Sequence, residues 1–346
     1  MRKWIIGLVV FLSLGIPVQA TSFTAPPAPD SAVVMVPEQP ETFSEGLHTV
    51  LREAVNYLYP AFRTAVTSCL GIIAAILLTS LVGHLPGSTQ KVTDMVATII
   101  VALILFEPSG ALIRLGVDTV KEISEYGKLL LPVMTAAMAA QGGVSTSAAL
   151  YTGTAFFDAL LSGLISSVIV PMIYIFLCLS VAGCATAEDL LDRLVGFVKW
   201  LMTWCLKIVL YVFTGYIGIT GVVSGVTDAA AIKATKLTIS GMVPVVGGIL
   251  SDASEAVLVS AGLVKGTVGI YGVLVVIALW IRPFIEIGVQ YLMLKLTAGI
   301  CGIFSVKTPV KLIESFSGAM GMLLAMTGTV SVLLMISVVC LMRGVA

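Results

Sequence analysis

Seven charged side chains are gathered in one stretch of an otherwise hydrocarbon-rich chain. Lys233, Lys236, Asp252, Glu255 and Lys265 flank a short apolar piece, MVPVVGGIL, and Arg282 and Glu286 come after it. Charges at membrane depth are costly, so they are kept where they pair, line a wet path or meet another subunit. Lys236, Asp252, Glu255 and Lys265 bracket the Gly/Pro-broken piece, whose irregular backbone must be buried in protein or face a cavity. Ordinary loop charges fit the same pattern. Arg282 and Glu286 stand four apart on one helical face, with Gln290 next along it and Lys295 beyond. That spacing lets the charges pair and lowers the cost of immersion. Two chemistries stay open for them: a proton or ion relay, or a structural ion pair at a helix junction. Asp158, at the start of another apolar run, has the same ambiguity. For Lys207, in WLMTWCLKIVLYVF, an internal water path competes with snorkelling to the headgroups beside Trp200 and Trp204.

The elements that must position these residues are membrane helices. The chain has 346 residues, of which 58% are hydrophobic and 11% charged. A soluble domain carries about 25% charged residues, so this composition excludes a water-soluble core. The expected fold is an all-α polytopic bundle of about six to eight spans, each needing about 20 apolar residues. The formal net charge is zero, which gives no electrostatic case for nucleic acid. Cys69, Cys178, Cys184, Cys205, Cys301 and Cys340 all lie in or beside apolar runs without a CxxC pair, and read as small buried hydrophobes. His48 and His84 are too few and too isolated to complete a metal set. The sequence holds no HExxH, GxSxG, GxxxxGK[ST] or GxGxxG. No enzyme, no cofactor and no metal are therefore expected, and any ATPase that drives the protein is a separate chain.

Along the chain, residues 1–20 read as a secretory signal: Arg2 and Lys3, an apolar core, then Val18-Gln19-Ala20 before the cleavage point. An uncleaved signal anchor is the alternative, and either version exports the segment beyond it. Residues 21–42 form a Pro-rich extracytoplasmic linker, in which Pro26, Pro27, Pro29, Pro37 and Pro40 forbid helix and favour an extended, solvated chain. Residues 43–128 comprise an amphipathic lead-in, a first span over 65–82, a short apolar run over 92–106 closed by Glu107-Pro108, and an amphipathic helix over 111–128 that is interfacial or packed on the bundle edge.

From residue 129 the sequence reads as duplicated, with one membrane repeat over 129–228 and a second over 229–346. Leu131-Pro132-Val133 matches Val243-Pro244-Val245, and Val170-Pro171-Met172 matches Arg282-Pro283-Phe284, both 112 residues apart. The four prolines, Pro132, Pro171, Pro244 and Pro283, are candidate helix breaks. Transporter folds use such repeats, with sites in broken segments at the repeat interface. Chance matching in apolar sequence is the competing account. Regions 144–187 and 256–304 are each too long for one upright span, and each reads as two crossings or as one crossing plus an interfacial piece. Glycines at packing spacing (Gly221/Gly225, Gly262/Gly266, Gly215/Gly218 and the run Gly266, Gly269, Gly272) predict close helix approach. Arg343 hints at a cytoplasmic C-terminus.

The segment TKLTISGMVPVVGGILSDASEAV, with LVKGTVG after it, resembles the stage III sporulation protein AE family of endospore-forming bacteria. The layout of exported signal, Pro-rich lead and polytopic body is similar to that family too. The resemblance implies a multi-pass protein of the mother-cell membrane around the engulfed forespore. It implies an integral-membrane core subunit of the channel complex that joins mother cell and forespore, required for forespore development after engulfment. Its partners would be other membrane and ring-forming subunits, a separate ATPase and the lipid bilayer, without nucleic acid. The family lends no catalytic residues. The alternative reading is a secondary transporter that moves a small solute or ion through its own repeat interface.

Overall fold

The computed structural model describes residues 25–36, 42–83, 90–141, 143–186, 189–242, 247–303 and 307–343, with side chains described outside 221–265 and the helix-end positions 83, 90, 91, 189 and 343. Among them every regular element is helical: α1 (Asp30–Val33), α2 (Phe43–Gly83), α3 (Gln90–Ala140), α4 (Val144–Leu164), a π-helical turn (Ile165–Ile169), α5 (Val170–Thr186), α6 (Asp189–Met242), α7 (Gly247–Gly302) and α8 (Lys307–Arg343). Six stretches are long and apolar enough to cross a membrane: Phe43–Val82, Val92–Ala140, Val144–Thr186, Leu190–Thr220, Gly266–Gly302 and Lys307–Met342. The protein is thus a multi-pass helical membrane protein. A 43-residue rod is about 65 Å long at 1.5 Å per residue, twice the roughly 30 Å hydrocarbon core. Each rod therefore tilts strongly or projects beyond the lipid.

Side-chain contacts fix how the rods run. The Phe106 and Phe316 rings meet at 6.4 Å, and Gly127 faces Leu334, so α3 and α8 run in the same direction. Leu130 packs on Gly272, and Met134 and Met342 both pack on Gly269, so α7 runs against both. On α2, Gly46 meets Leu274 and Cys69 hydrogen-bonds Thr297, which aligns α2 with α7. Asp192 pairs with Lys311, and Gly183 touches Leu191, which brings the end of α5 beside the starts of α6 and α8. The six rods alternate in direction, and α7 and α8 supply much of the buried core, including Leu274, Ile287, Leu294, Phe316, Leu323 and Leu334. The alternation puts the start of α2 and the end of α8 at the same end of the bundle.

Several boundaries differ from the sequence reading, each for a physical reason. The apolar run over 92–106 does not close at Glu107-Pro108: α3 continues through Pro108 and Pro132 as one helix. The stretch over 111–128 is thus part of a long rod packed on the bundle, the second of the two alternatives the sequence leaves for it. Likewise α2 passes through Pro60 and α7 through Pro283. A helical proline loses one hydrogen bond and crowds one carbonyl, and packed neighbours hold the rod together across that local defect. In the first repeat the chain leaves the helix at 141–143 instead, where Gln141 and Gly143 both donate to the Met138 carbonyl. Gly142 and Gly143 each disfavour helix by about 1 kcal/mol, which gives the chain a place to leave it. Pro171 does mark an irregularity: it comes just after the π-turn, where Ser166 donates to the Ser162 carbonyl at 2.9 Å and Ser167 to the Gly163 carbonyl. The described parts of regions 144–187 and 256–304, namely 144–186 and 256–302, each form one continuous rod, the first with a π-turn in it. Pro244 lies outside the described residues.

The Pro-rich lead is not an extended, solvated spacer over its described part. Asp30–Val33 form a helical turn, and Ala32, Met35 and Val36 are buried in the core. Prolines flank this patch without entering it, which leaves room for one helical turn.

Candidate functional site

One turn of α7 carries the best-formed charged pair. The continuous helix sets Arg282 and Glu286 one above the other, and Arg282 Nε donates to Glu286 Oε1 at 2.9 Å. The Arg282 guanidinium also sits over the Tyr57 ring of α2, 5.6 Å from its centroid, an attraction of cation and ring quadrupole. Across from them, Ser31 of the N-terminal turn donates to Glu122 Oε2 at 2.6 Å. Ser31, Asp118, Thr119, Glu122, Arg282 and Pro283 line a cavity of about 50 Å³, with Leu115, Ala278 and Leu279 as its apolar wall. That volume holds a few waters at most and does not admit a solute. The seam binds four elements by polar contacts: α1, α2, α3 and α7.

A second polar contact lies on the other flank of α3. Asp158 of α4 is buried, and Ser124 donates to its Oδ2 at 2.6 Å. Lys128, one turn beyond Ser124, is the cation that acts on this carboxylate, while its Oδ1 has no hydrogen-bond partner among the described residues. Nearby, Thr154 donates to Ser337 at 3.1 Å, and Tyr216 donates to the Ala149 carbonyl at 2.8 Å. These bonds tie α4 to α3, α8 and α6.

The other residues singled out from the sequence are scattered. Lys236, Asp252, Glu255 and Lys265, with Lys233, lie outside the residues whose side chains are described. Gln290 and Lys295 part company: Gln290 turns into the core, and Lys295 is exposed. Lys207 is exposed on α6, close in sequence to the exposed Trp200 and Trp204, whose rings lie 6.1 Å apart. Of the glycine pairs, Gly269 and Gly272 receive the Met342 and Leu130 side chains, whereas Gly215, Gly218 and Gly266 face open space. None of the six cysteines is in a disulfide; Cys69, Cys184 and Cys301 are buried, Cys205 and Cys340 are half-buried, and Cys178 is exposed rather than buried. Sequence reasoning missed Ser31, Tyr57, Glu122 and Ser124. The apolar run AVVMV between prolines is the one signal that the lead segment docks.

The family described as stage III sporulation protein AE matches residues 41–344. A curated relative, stage III sporulation protein AE of Bacillus subtilis (strain 168), is 25% identical over 215 residues. That alignment covers 62% of this chain and 54% of the relative, so the chain spans about half the length of the curated relative it matches. No solved structure matches.

Proposed function

Since the chain belongs to the stage III sporulation protein AE family, we propose that it is the integral-membrane core subunit of a channel complex joining mother cell and forespore. The observation that carries this is the family match along residues 41–344, the whole of the helical bundle. In this reading the protein sits in the mother-cell membrane around the forespore and works by packing and passage, without catalysis. Other membrane and ring-forming subunits surround it, and a separate ATPase supplies energy. Its polar seam and the charges near the broken segment (Lys236, Asp252, Glu255, Lys265) serve as subunit contacts or a wet path. The test is deletion of the gene in its spore-forming host, scored for late forespore-specific gene expression after engulfment. Loss of that expression with engulfment complete is the expected result. Normal sporulation would overturn it.

A permease acting by itself is the second reading, and one observation favours it. Asp158 is a buried carboxyl within a membrane span, held by a single hydroxyl, and such groups mark ion paths in transporters. Asp158→Asn keeps the Ser124 contact and removes the charge. If the Asp158→Asn variant sustains sporulation unchanged, the permease reading loses its support.

A further inference from the structure

One long rod hides a single charge. Among the 43 residues of the rod formed by α4 and α5, Asp158 is the only charged side chain. It is also the only acidic or basic side chain that the bundle buries among the described residues. Ser124 of α3 donates to its Oδ2 at 2.6 Å, and its Oδ1 has no hydrogen-bond partner among the described residues. A buried carboxylate is tolerated when its lone pairs are satisfied or a cation is bound to it. Oδ1 is therefore an open acceptor in a dry place.

The elements packed around it decide which cation fits. On α3, Lys128 stands one turn beyond Ser124; its charge acts on the carboxyl, but it is exposed, as are Lys121 and Glu125. On α6, Phe213 and Tyr216 meet the neighbouring Phe157, and Tyr216 is bound to the Ala149 carbonyl. α8 has no charged side chain between Glu314 and Arg343, and it presents Ser337 to Thr154 at 3.1 Å. A hard metal cation takes about six oxygens or more. Here two carboxyl oxygens and one hydroxyl are on offer, and Thr154, one turn earlier on α4, is committed to Ser337. A proton needs one lone pair, which Oδ1 has. Water is close by: at the level of Ser124, α3 exposes Lys121, Glu125 and Lys128, and α2 exposes Glu45, His48, Arg52 and Asn56.

We propose that Asp158 is a proton-binding site, whose Oδ1 takes a proton from water on the α3 flank and returns it there, while Ser124 holds Oδ2 in both states. Binding forms one O–H bond at Oδ1 and breaks one in hydronium, which leaves as water, and no electrons change hands. The bound proton removes the rod's only charge and makes the carboxyl a donor as well as an acceptor. For transport the proposal rests on the permease reading, which it deepens by naming the ion as a proton. The binding site itself rests on the burial of Asp158 and its open oxygen.

The experiment records infrared spectra of the full-length protein in lipid nanodiscs at mildly acidic pH, with its aspartate carboxyls isotope-labelled. The expected result is one aspartic acid carbonyl band that moves when water is exchanged for heavy water and is missing from Asp158→Asn. Ser124→Ala should move that band without removing it, and this assigns it even if Asp158→Asn does not fold. No such band would overturn the proposal, as would one that persists in Asp158→Asn or never exchanges with heavy water. Proton entry into vesicles, followed with a pH-sensitive dye, tests the permease reading separately, and Asp158→Asn is expected to slow it at least ten-fold. The band without proton entry keeps the proton site and removes the permease reading. Proton entry without the band removes the site and leaves that reading with another route.

Discussion

Two proline-bearing pairs of rods, within residues 144–220 and 266–342, occupy unlike places in the bundle. The apolar windows of α7 and α8 are 56% and 50% buried, against 33% for the rod of α4 and α5 and 17% for α6. One pair is the centre and the other the periphery. The central one turns small polar groups inward: Ser317, Thr327, Ser331 and Ser337 are buried on α8, and Trp280 donates to Thr327 at 3.3 Å. The peripheral one turns Phe197, Trp200, Trp204 and Tyr211 outward. The prolines differ in the same way. Pro171 comes with a π-turn, whereas the helix passes through Pro283 without a change of type. Each proline supplies a local weakness in its rod, and the packing around it decides whether that becomes a visible irregularity.

The comparison breaks most readily at its aromatic residues. Phe316 is fully buried in the centre and Trp204 is 47% exposed at the periphery. Lipid is as apolar as the protein interior, so only lost packing counts, and Phe316→Ala is expected to destabilise by about 2–3 kcal/mol, below the range of about 3–5 kcal/mol in water-soluble cores. Trp204→Ala should cost under about 0.5 kcal/mol as a surface change. Thermal unfolding in detergent measures both, and equal losses would erase the distinction between centre and periphery. Next in size is Gly153, where an added Cβ would lie 1.9 Å from the rigid Tyr216 ring. Gly153→Ala is expected to cost about 1–2 kcal/mol through overpacking. It should also free the Tyr216 hydroxyl from Ala149, a loss that Tyr216→Phe isolates. A neutral Gly153→Ala would mean that α4 and α6 pack loosely enough to absorb a methyl group.

Much of this architecture is readable in the sequence, and the unread parts have a common cause. Apolar runs point to an all-helical membrane class, and the i, i+4 spacing of Arg282 and Glu286 points to their ion pair, because both depend on local periodicity alone. Element boundaries are misread where tertiary packing overrides a local signal. Glu107-Pro108 reads as a stop, yet α3 is covered by neighbours along its length and continues. Pro26 to Pro40 read as solvated, yet Ala32, Met35 and Val36 find a groove to fill. The partners of the seam, Ser31 with Glu122, and of the contact on the other flank of α3, Ser124 with Asp158, are 91 and 34 residues apart in the chain. No spacing rule links them, since only the alternation of six rods brings them to one depth.

The same comparison can be sharpened on charged pairs, whose effects should be smaller. Arg282 and Glu286 are 46% and 26% exposed, so breaking the pair leaves a partly shielded charge. Arg282→Met or Glu286→Met alone is expected to cost about 1–2 kcal/mol, with the double substitution near neutral. A stable double variant that fails to sporulate would assign the pair to function, and one that sporulates would assign it to structure.

The smallest effect belongs to Asp192 and Lys311, the ion pair that ties the peripheral pair of rods to the central one. Their side chains are 36% and 51% exposed at the ends of α6 and α8, where water and salt screen the attraction. Lys311→Ala is expected to cost under about 1 kcal/mol, and less still at high salt. Its value is diagnostic. If the two pairs of rods are held together by buried side chains, such as Gly318 of α8 beside Phe176 of α5, the melting transition should stay single and shift little. If charges hold them, Lys311→Ala should split the transition, with the peripheral pair melting first. A split that appears only at low salt would place the ion pair in control of docking and reverse the order of forces argued for this bundle.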